Sequence, residues 1–284
     1  MLTKSQTHVL FISLIALSTG GCVSRGIPIS PGKDSAPHGR FDATHIQNAI
    51  PKSEPRSAKG NPSSYIVNGK RYYVMASAKN YRKKGIASWY GKKFHGRSTS
   101  SGEKYNMYAM TAAHKNLPLP SYVKVTNLKN NRSIIVKVND RGPFHANRII
   151  DLSYAAATKL NIVATGTGIV EVEIIDPKKF NTRQATITKK PIKIRNLSNK
   201  TPATKNSKYI MYLQVGAFIS NTNALQLFNK LSYKFKNVRI NSDTSSKQRI
   251  YRVQIGPIYS VIEADKLALK VKDMGLDLPH VVIN

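Results

Sequence analysis

The sequence predicts a mainly β protein of two domains, a small closed barrel followed by an α+β sandwich of order βαββαβ. Three observations carry this. Short apolar/polar alternations recur between residues 63 and 176 with little helical period. A quasi-repeat with an offset of 40 residues runs through 208–284. Two stretches, 22–62 and 177–207, are rich in Pro, Ser, Gly and Lys and lack an apolar period. They cannot offset the entropy of ordering, so the first is expected to be a disordered tether and the second a basic linker.

Taken from the N-terminus, Lys4 precedes an apolar run from Val9 to Leu17 that is too short to span a bilayer. Residues 1–21 therefore read as a signal peptide. The chain's single cysteine follows, and Ser18-Thr19-Gly20-Gly21-Cys22 resembles a bacterial lipobox, with Thr19 standing where that pattern favours Leu, Val or Ile. The resemblance implies export and a diacylated, palmitate-bearing Cys22; the alternative is an incidental cysteine behind an ordinary signal peptide.

In the barrel segment, residues 123–128, 133–138 and 169–174 alternate as strands, with Lys129-Asn130-Asn131 as a hairpin turn. One helix follows Asp151 or Ser153 as N-cap and runs through Leu160. In the C-terminal segment, Leu213–Ser220 and Val253–Ser260 match in pattern, and each leads into a helix. The first helix aligns Ala224, Leu227, Phe228 and Leu231. The second aligns Ala264, Leu267, Ala268 and Val271, opened by a Ser260/Glu263 capping box and closed by Gly275. Strands near 237–242 and 280–284 complete a four-stranded sheet with helices on one side only.

Composition excludes several chemistries. Lys and Arg number 45 against 14 Asp and Glu in 284 residues, a formal +31 that calls for an anionic partner or surface. One cysteine leaves no disulfide framework, thiol pair or multi-cysteine zinc site. There is no Gly-rich phosphate loop and no His-x-x-x-His pair, so no metal or cofactor is expected. Acid–base chemistry in the barrel must come from few carboxylates. Glu171 and Glu173 alternate with valines on a solvent face, which leaves Glu103, Asp140 and Asp151. Each also has a structural reading: a solvated loop charge, a turn or ion-pair residue in Asn139-Asp140-Arg141-Gly142, and a helix cap.

Local wording goes further. Ala87-Ser88-Trp89-Tyr90-Gly91, Phe94-His95-Gly96-Arg97-Ser98-Thr99, Ser101-Gly102-Glu103, Thr111-Ala112-Ala113-His114, Val125-Thr126-Asn127-Leu128, Asn139-Asp140-Arg141-Gly142-Pro143-Phe144 and Arg148-Ile149-Ile150-Asp151-Leu152-Ser153 occur in that order. Together they closely resemble the rare lipoprotein A family. The C-terminal repeat is similar to a SPOR domain. The resemblance implies a double-psi β-barrel over 63–176 that cleaves peptidoglycan glycan as a lytic transglycosylase, and a SPOR module over 208–284 that binds strands stripped of stem peptides. It implies that Glu103 and Asp140 are catalytic and His114 supporting. Membrane-bound transglycosylases of similar barrel fold place the catalytic Asp at Asp151 instead. Some family members lack cleavage activity, which keeps a wall-binding lipoprotein without catalysis as the alternative.

Breaking the N-acetylmuramic acid–N-acetylglucosamine bond without water needs a proton donor and stabilisation of an oxocarbenium-like centre, and the sugar's own 6-hydroxyl then closes a 1,6-anhydro ring. Sugar contacts are expected from Tyr90 and Arg141 in the barrel. On the open sheet face, opposite Met211, Leu213 and Val215, they are expected from Tyr212, Gln214, Phe218, Arg252 and Gln254. A basic chain with an aromatic-bearing sheet also suggests a nucleic-acid binder, but export argues against it and the RNP1-type run is absent. The expected partners are therefore glycan strands, a membrane reached through the anchor, and divisome proteins. The expected place is the periplasmic face of a membrane, the outer rather than the inner, enriched at the septum.

Overall fold

The computed structural model describes residues 34–37, 39, 41–145, 147–180, 209–243 and 248–284. The signal segment, Cys22 and most of the 177–207 linker lie outside the described residues.

A hairpin of β1 (Ser64–Val67) and β2 (Lys70–Tyr73) precedes the barrel. Six strands then close on themselves: β3 (Arg82–Tyr90), β4 (Thr111–His114), β5 (Ser121–Asn127), β6 (Ser133–Asp140), β7 (Arg148–Ser153) and β8 (Thr167–Ile174). Their spatial order is β3-β7-β4-β6-β5-β8, with β3–β7 and β4–β6 parallel and the other pairs antiparallel. Alternation fills the inside: Val123 and Val125, Ile134, Val136 and Val138, and Val170 and Val172 are buried, while their neighbours face out. Helix α1 (Tyr154–Leu160) plugs one side with Ala155, Ala156, Ala157 and Leu160. Its N-cap is Ser153, whose side chain accepts from Ala156 N at 3.2 Å, and not Asp151. A fully buried aliphatic side chain contributes about 1.5–3 kcal/mol, whereas an exposed ion pair such as Arg82–Glu171 contributes about 0–1 kcal/mol. The valines therefore hold the barrel.

The tether expected over 22–62 ends earlier. Residues 41–62 run along the barrel as a strap: Ala49 N donates to Ile135 O at 3.0 Å, Ser57 N to Leu119 O at 2.9 Å, and Asn61 Oδ1 accepts from Leu119 N at 2.8 Å. These bonds satisfy strand and loop groups that alternation leaves unpaired, a signal that composition does not contain.

The C-terminal domain pairs β9 (Met211–Phe218), β10 (Val238–Asp243), β11 (Ile250–Ile258) and β12 (His280–Ile283) in the order β10-β11-β9-β12, all antiparallel. Helices α2 (Asn221–Ser232) and α3 (Val261–Asp273) cover one face, burying Ala224 and Leu231, and Ala264, Ala268 and Val271. The expected capping box does not form, because Ser260 makes no side-chain cap bond; Glu263 still places its charge in the first turn. Ser220 caps α2 by accepting from Asn223 N.

Candidate active site

Strand register brings two of the three carboxylates, Asp140 and Asp151, into one row, while Glu103 lies on the loop that precedes β4. Ser88 on β3 lies opposite Asp151 on β7, Asp151 opposite Ala113 on β4, and Ala113 opposite Asp140 on β6. The last pairing depends on a bulge. Register passes from Ala112/Val138 directly to Ala113/Asp140, which leaves Asn139 as the extra residue. Without it Asp140 would stand one position further along and outside this row. Asp140 and Asp151 are thereby two strand spacings apart, about 9–10 Å between backbones.

Each carboxylate has a different environment. Asp140 Oδ1 accepts from Ser100 N at 2.8 Å, Ser100 Oγ at 2.7 Å and Arg141 N at 2.7 Å, bonds that fit the turn reading. Glu103 is bound at both oxygens, Oε1 by Lys137 Nζ at 2.9 Å and Oε2 by Asn139 Nδ2 at 2.7 Å. Asp151 accepts from the Ser88 hydroxyl. Burial raises its carboxyl above the usual carboxylate value against the downward pull of that bond and of Lys115, Arg148 and His145. Lys115 is itself crowded; burial, with Lys70, lowers it to about 8, and its ammonium donates to Arg148 O.

His114 does not act through its ring on these groups. Nδ1 accepts from Asn116 N at 3.1 Å and Leu117 N at 3.0 Å, which leaves the proton on Nε2 facing the Tyr81 hydroxyl at 2.9 Å. Burial, together with Lys115, Arg141 and Lys83, lowers it to about 3. It is a neutral histidine that shapes the 114–117 turn. Its support for the site runs through its carbonyl, which accepts from Arg141 Nη1 at 3.0 Å.

Two sugar contacts expected in the barrel are also reassigned. The Tyr90 ring is buried and stacked on Tyr105 at 4.1 Å, so it offers no face to a sugar, although it is electrostatically coupled to Asp140 and Asp151. The Arg141 guanidinium bonds the carbonyls of Gly60, His114 and Leu117 and the Asn61 amide oxygen, which staples the strap to the site loop. Gly60 permits this approach: with φ +78° and a Cβ position 2.6 Å from Ser100 O, no other residue fits. An aromatic cluster beside Arg141 comes from the first hairpin, with the Arg141 guanidinium 5.9 Å from the Tyr65 ring. Tyr65 and Tyr72 stack at 5.4 Å, and exposed Phe144, four residues after Asp140, packs 5.5 Å from Tyr72. The Tyr-rich alternation of 64–73 was the available signal.

On the C-terminal sheet, a second bulge decides which side chains face outward. Register jumps from Gly216/Val253 to Gln214/Gln254, making Val215 the extra residue and returning Phe218 to the helix side, where its ring lies against Gly216. Phe218 is core. Tyr212 is nearly buried beneath Arg239, whose guanidinium sits 3.5 Å over its ring, and buried Gln254 accepts from the same Arg239 at 2.9 and 3.1 Å. Gln214, Arg252 and Gln254 do line the open pocket as expected, with Asn241, Ser242, Val282 and Asn284.

A family model described as lytic transglycolase matches residues 82–174, and a SPOR domain model matches residues 207–281. The endolytic peptidoglycan transglycosylase RlpA of Vibrio cholerae serotype O1 is 40% identical over 96% of this chain and 95% of its own. That of Pseudomonas aeruginosa (strain UCBPP-PA14) is 40% identical over 89% of this chain and 85% of its own. The crystal structure of the RlpA SPOR domain from Pseudomonas aeruginosa is 36% identical over 25% of this chain and 96% of that one, with a TM-score of 0.24.

Proposed function

The chain belongs to the RlpA family of endolytic peptidoglycan transglycosylases, and from that premise we propose how its residues divide the reaction. It is a lytic transglycosylase acting on N-acetylmuramic acid–N-acetylglucosamine bonds. Asp151 is the acid that protonates the glycosidic oxygen. The C1–O bond breaks, N-acetylglucosamine leaves, and positive charge develops at C1 of N-acetylmuramic acid. Ionised Glu103 stabilises that charge. The Asp151 carboxylate then takes the 6-hydroxyl proton as O6 closes on C1, giving the 1,6-anhydro product and restoring the acid without water. Asp140 holds the Ser100 loop and the Arg141 backbone in place.

The observation that carries this division is the contrast between a crowded Asp151, whose carboxyl burial raises above the usual value, and a Glu103 whose two oxygens meet an ammonium and an amide. Tyr65, Tyr72 and Phe144 receive sugar rings beside Arg141. Digestion of purified sacculi tests the assignment: 1,6-anhydro ends lost in Asp151→Asn support it, and reducing ends from the wild type would identify a hydrolase.

The finer substrate and address are part of the same reading. The open C-terminal face, lined by Gln214, Asn241, Ser242, Arg252 and Asn284, offers amides, a hydroxyl and a guanidinium suited to a bare sugar chain, which favours strands stripped of stem peptides and hence the septum. Cys22 tethers the chain by a lipid to the periplasmic face of the outer membrane, near divisome proteins. Acyl labelling and membrane fractionation of Cys22→Ala test the anchor; wild type without label would refute it.

A further inference from the structure

Glu103 sits on the 98–104 loop, where a three-torsion side chain would ordinarily sample several rotamers. Two side chains of β6 prevent that. Lys137 and Asn139, two residues apart, extend on the same side of the strand, and each binds one Glu103 oxygen. The loop is anchored to the same strand end, since Ser101 N donates to Asn139 O at 3.2 Å.

Lys137 has a second partner. Glu54 of the strap places Oε2 3.1 Å from Nζ, and its Oε1 accepts from the Tyr122 hydroxyl of β5. The ammonium thus stands between two carboxylates. Its side chain is only 19% exposed, against 32% for Glu54 and 44% for Glu103. The other groups around Glu103 are Lys59 of the strap, whose Cδ lies 3.6 Å from the Cβ position of Gly102, and Lys104, whose ammonium is turned to Ser98 Oγ.

A lone Lys137–Glu103 pair would be neutral and would weaken the field that a cationic sugar needs. With Glu54 included the three bonded side chains carry one net negative charge, and Lys52 of the strap acts on Glu54 as a further, more weakly coupled cation. We propose that Lys137 is a positioning residue for Glu103 and that Glu54 supplies the compensating charge, so that the strap preceding the barrel is a working part of the active site. This rests on Glu103 facing the sugar in the division of roles above. The lysine fixes the carboxylate at the price of part of its charge, and the strap glutamate restores that charge.

The test uses the full chain, with kcat and KM measured on peptide-free glycan strands. Lys137→Arg keeps an ammonium-like donor and is expected within about threefold of wild-type kcat. Lys137→Met frees Glu103 beside Glu54; kcat falls at least tenfold with KM within twofold, and the acidic limb of the kcat profile moves to higher pH because two carboxylates face each other unbridged. Glu54→Gln keeps the side-chain shape but leaves the cluster neutral, so kcat falls severalfold with KM and melting temperature nearly unchanged. Wild-type kcat and an unmoved pH profile in Lys137→Met overturn the proposal. Equal losses in the Arg and Met variants that track a loss of melting temperature also overturn it, by showing a purely structural lysine. If Lys137→Met does not fold, Glu54→Gln decides: an unchanged kcat refutes the compensating charge. Absence of anhydro product from the wild type would instead remove the reaction itself.

Discussion

Asp140 and Asp151 flank a single residue, Ala113, which is the register partner of both. Tyr90 feels both charges, and its phenol is pushed well above its ordinary value, by burial first and then by Tyr105 and Asp140, with Asp151 adding less. Two carboxylates in one row can take opposite roles when their partners differ. Asp151→Asn is expected to reduce anhydro-product formation by about 10²-fold or more, as loss of a general acid does. Its effect on stability has the opposite sign. A carboxyl raised in the folded state favours folding at low pH and loses that contribution as pH rises through its folded value, so at pH 7 the amide should melt at or above the wild-type temperature. Asp140→Asn keeps an acceptor oxygen for Ser100 N, Ser100 Oγ and Arg141 N but removes the charge that strengthens those three bonds, and should lower stability by about 1 kcal/mol. Thermal melts beside product analysis separate the two.

His114 supplies a pH dependence of the fold. Its folded value near 3 lies below the ordinary 6.5 because burial disfavours the cation. The unfolded chain therefore takes up a proton that the native chain refuses, and stability falls as pH drops below about 6.5. Over two pH units this amounts to about 2 kcal/mol. Replacing His114 by Asn should flatten melting temperature against pH over that range, at a lower overall stability. A slope unchanged in the variant would place the proton elsewhere.

The aromatic cluster beside Arg141 makes a kinetic prediction. Tyr72→Ala and Phe144→Ala remove partly exposed rings of the cluster around Tyr65 without opening the barrel core. Loss of one stacking partner at about 0.5–1.5 kcal/mol should raise KM about 3–10-fold and leave kcat close to wild type. Tyr90→Phe, which keeps the buried ring and removes only its hydroxyl, should leave KM unchanged.

Much of this molecule was legible before its structure. Alternating valines located β5, β6 and β8, the 40-residue repeat located both C-terminal helices, and motif wording named Glu103, Asp140 and Asp151 as candidates. One misreading, that of Phe218, has a clear physical cause. Periodicity assumes an unbroken strand, and each domain carries a bulge: Asn139 realigns Asp140 with Ala113, and Val215 turns Phe218 into the core. A bulge leaves no mark in an apolar pattern, because the extra residue is as ordinary as its neighbours. The strap escaped for a related reason. Its ordering comes from hydrogen bonds to Ile135, Leu119 and Arg141, and a Pro- and Ser-rich composition says nothing about acceptors that the rest of the chain provides.

The second bulge can be tested directly. If Phe218 were on the open face, Phe218→Ala would weaken glycan binding and spare the fold. With its ring packed against Gly216 and beside Leu227 under α2, the same change should cost about 1–3 kcal/mol and destabilise the C-terminal domain. Gln214→Ala with Arg252→Ala should do the reverse, because both side chains line the open pocket and neither belongs to the core. The measurement is retention of the full chain on amidase-treated sacculi, in an Asp151→Asn background so that strands are not consumed, alongside a thermal melt. Retention lost with melting unchanged in the double variant, and melting lowered in Phe218→Ala, is the expected pair. A Phe218→Ala protein that melts like wild type but no longer binds would return the ring to the open face and remove the bulge-based assignment of that surface.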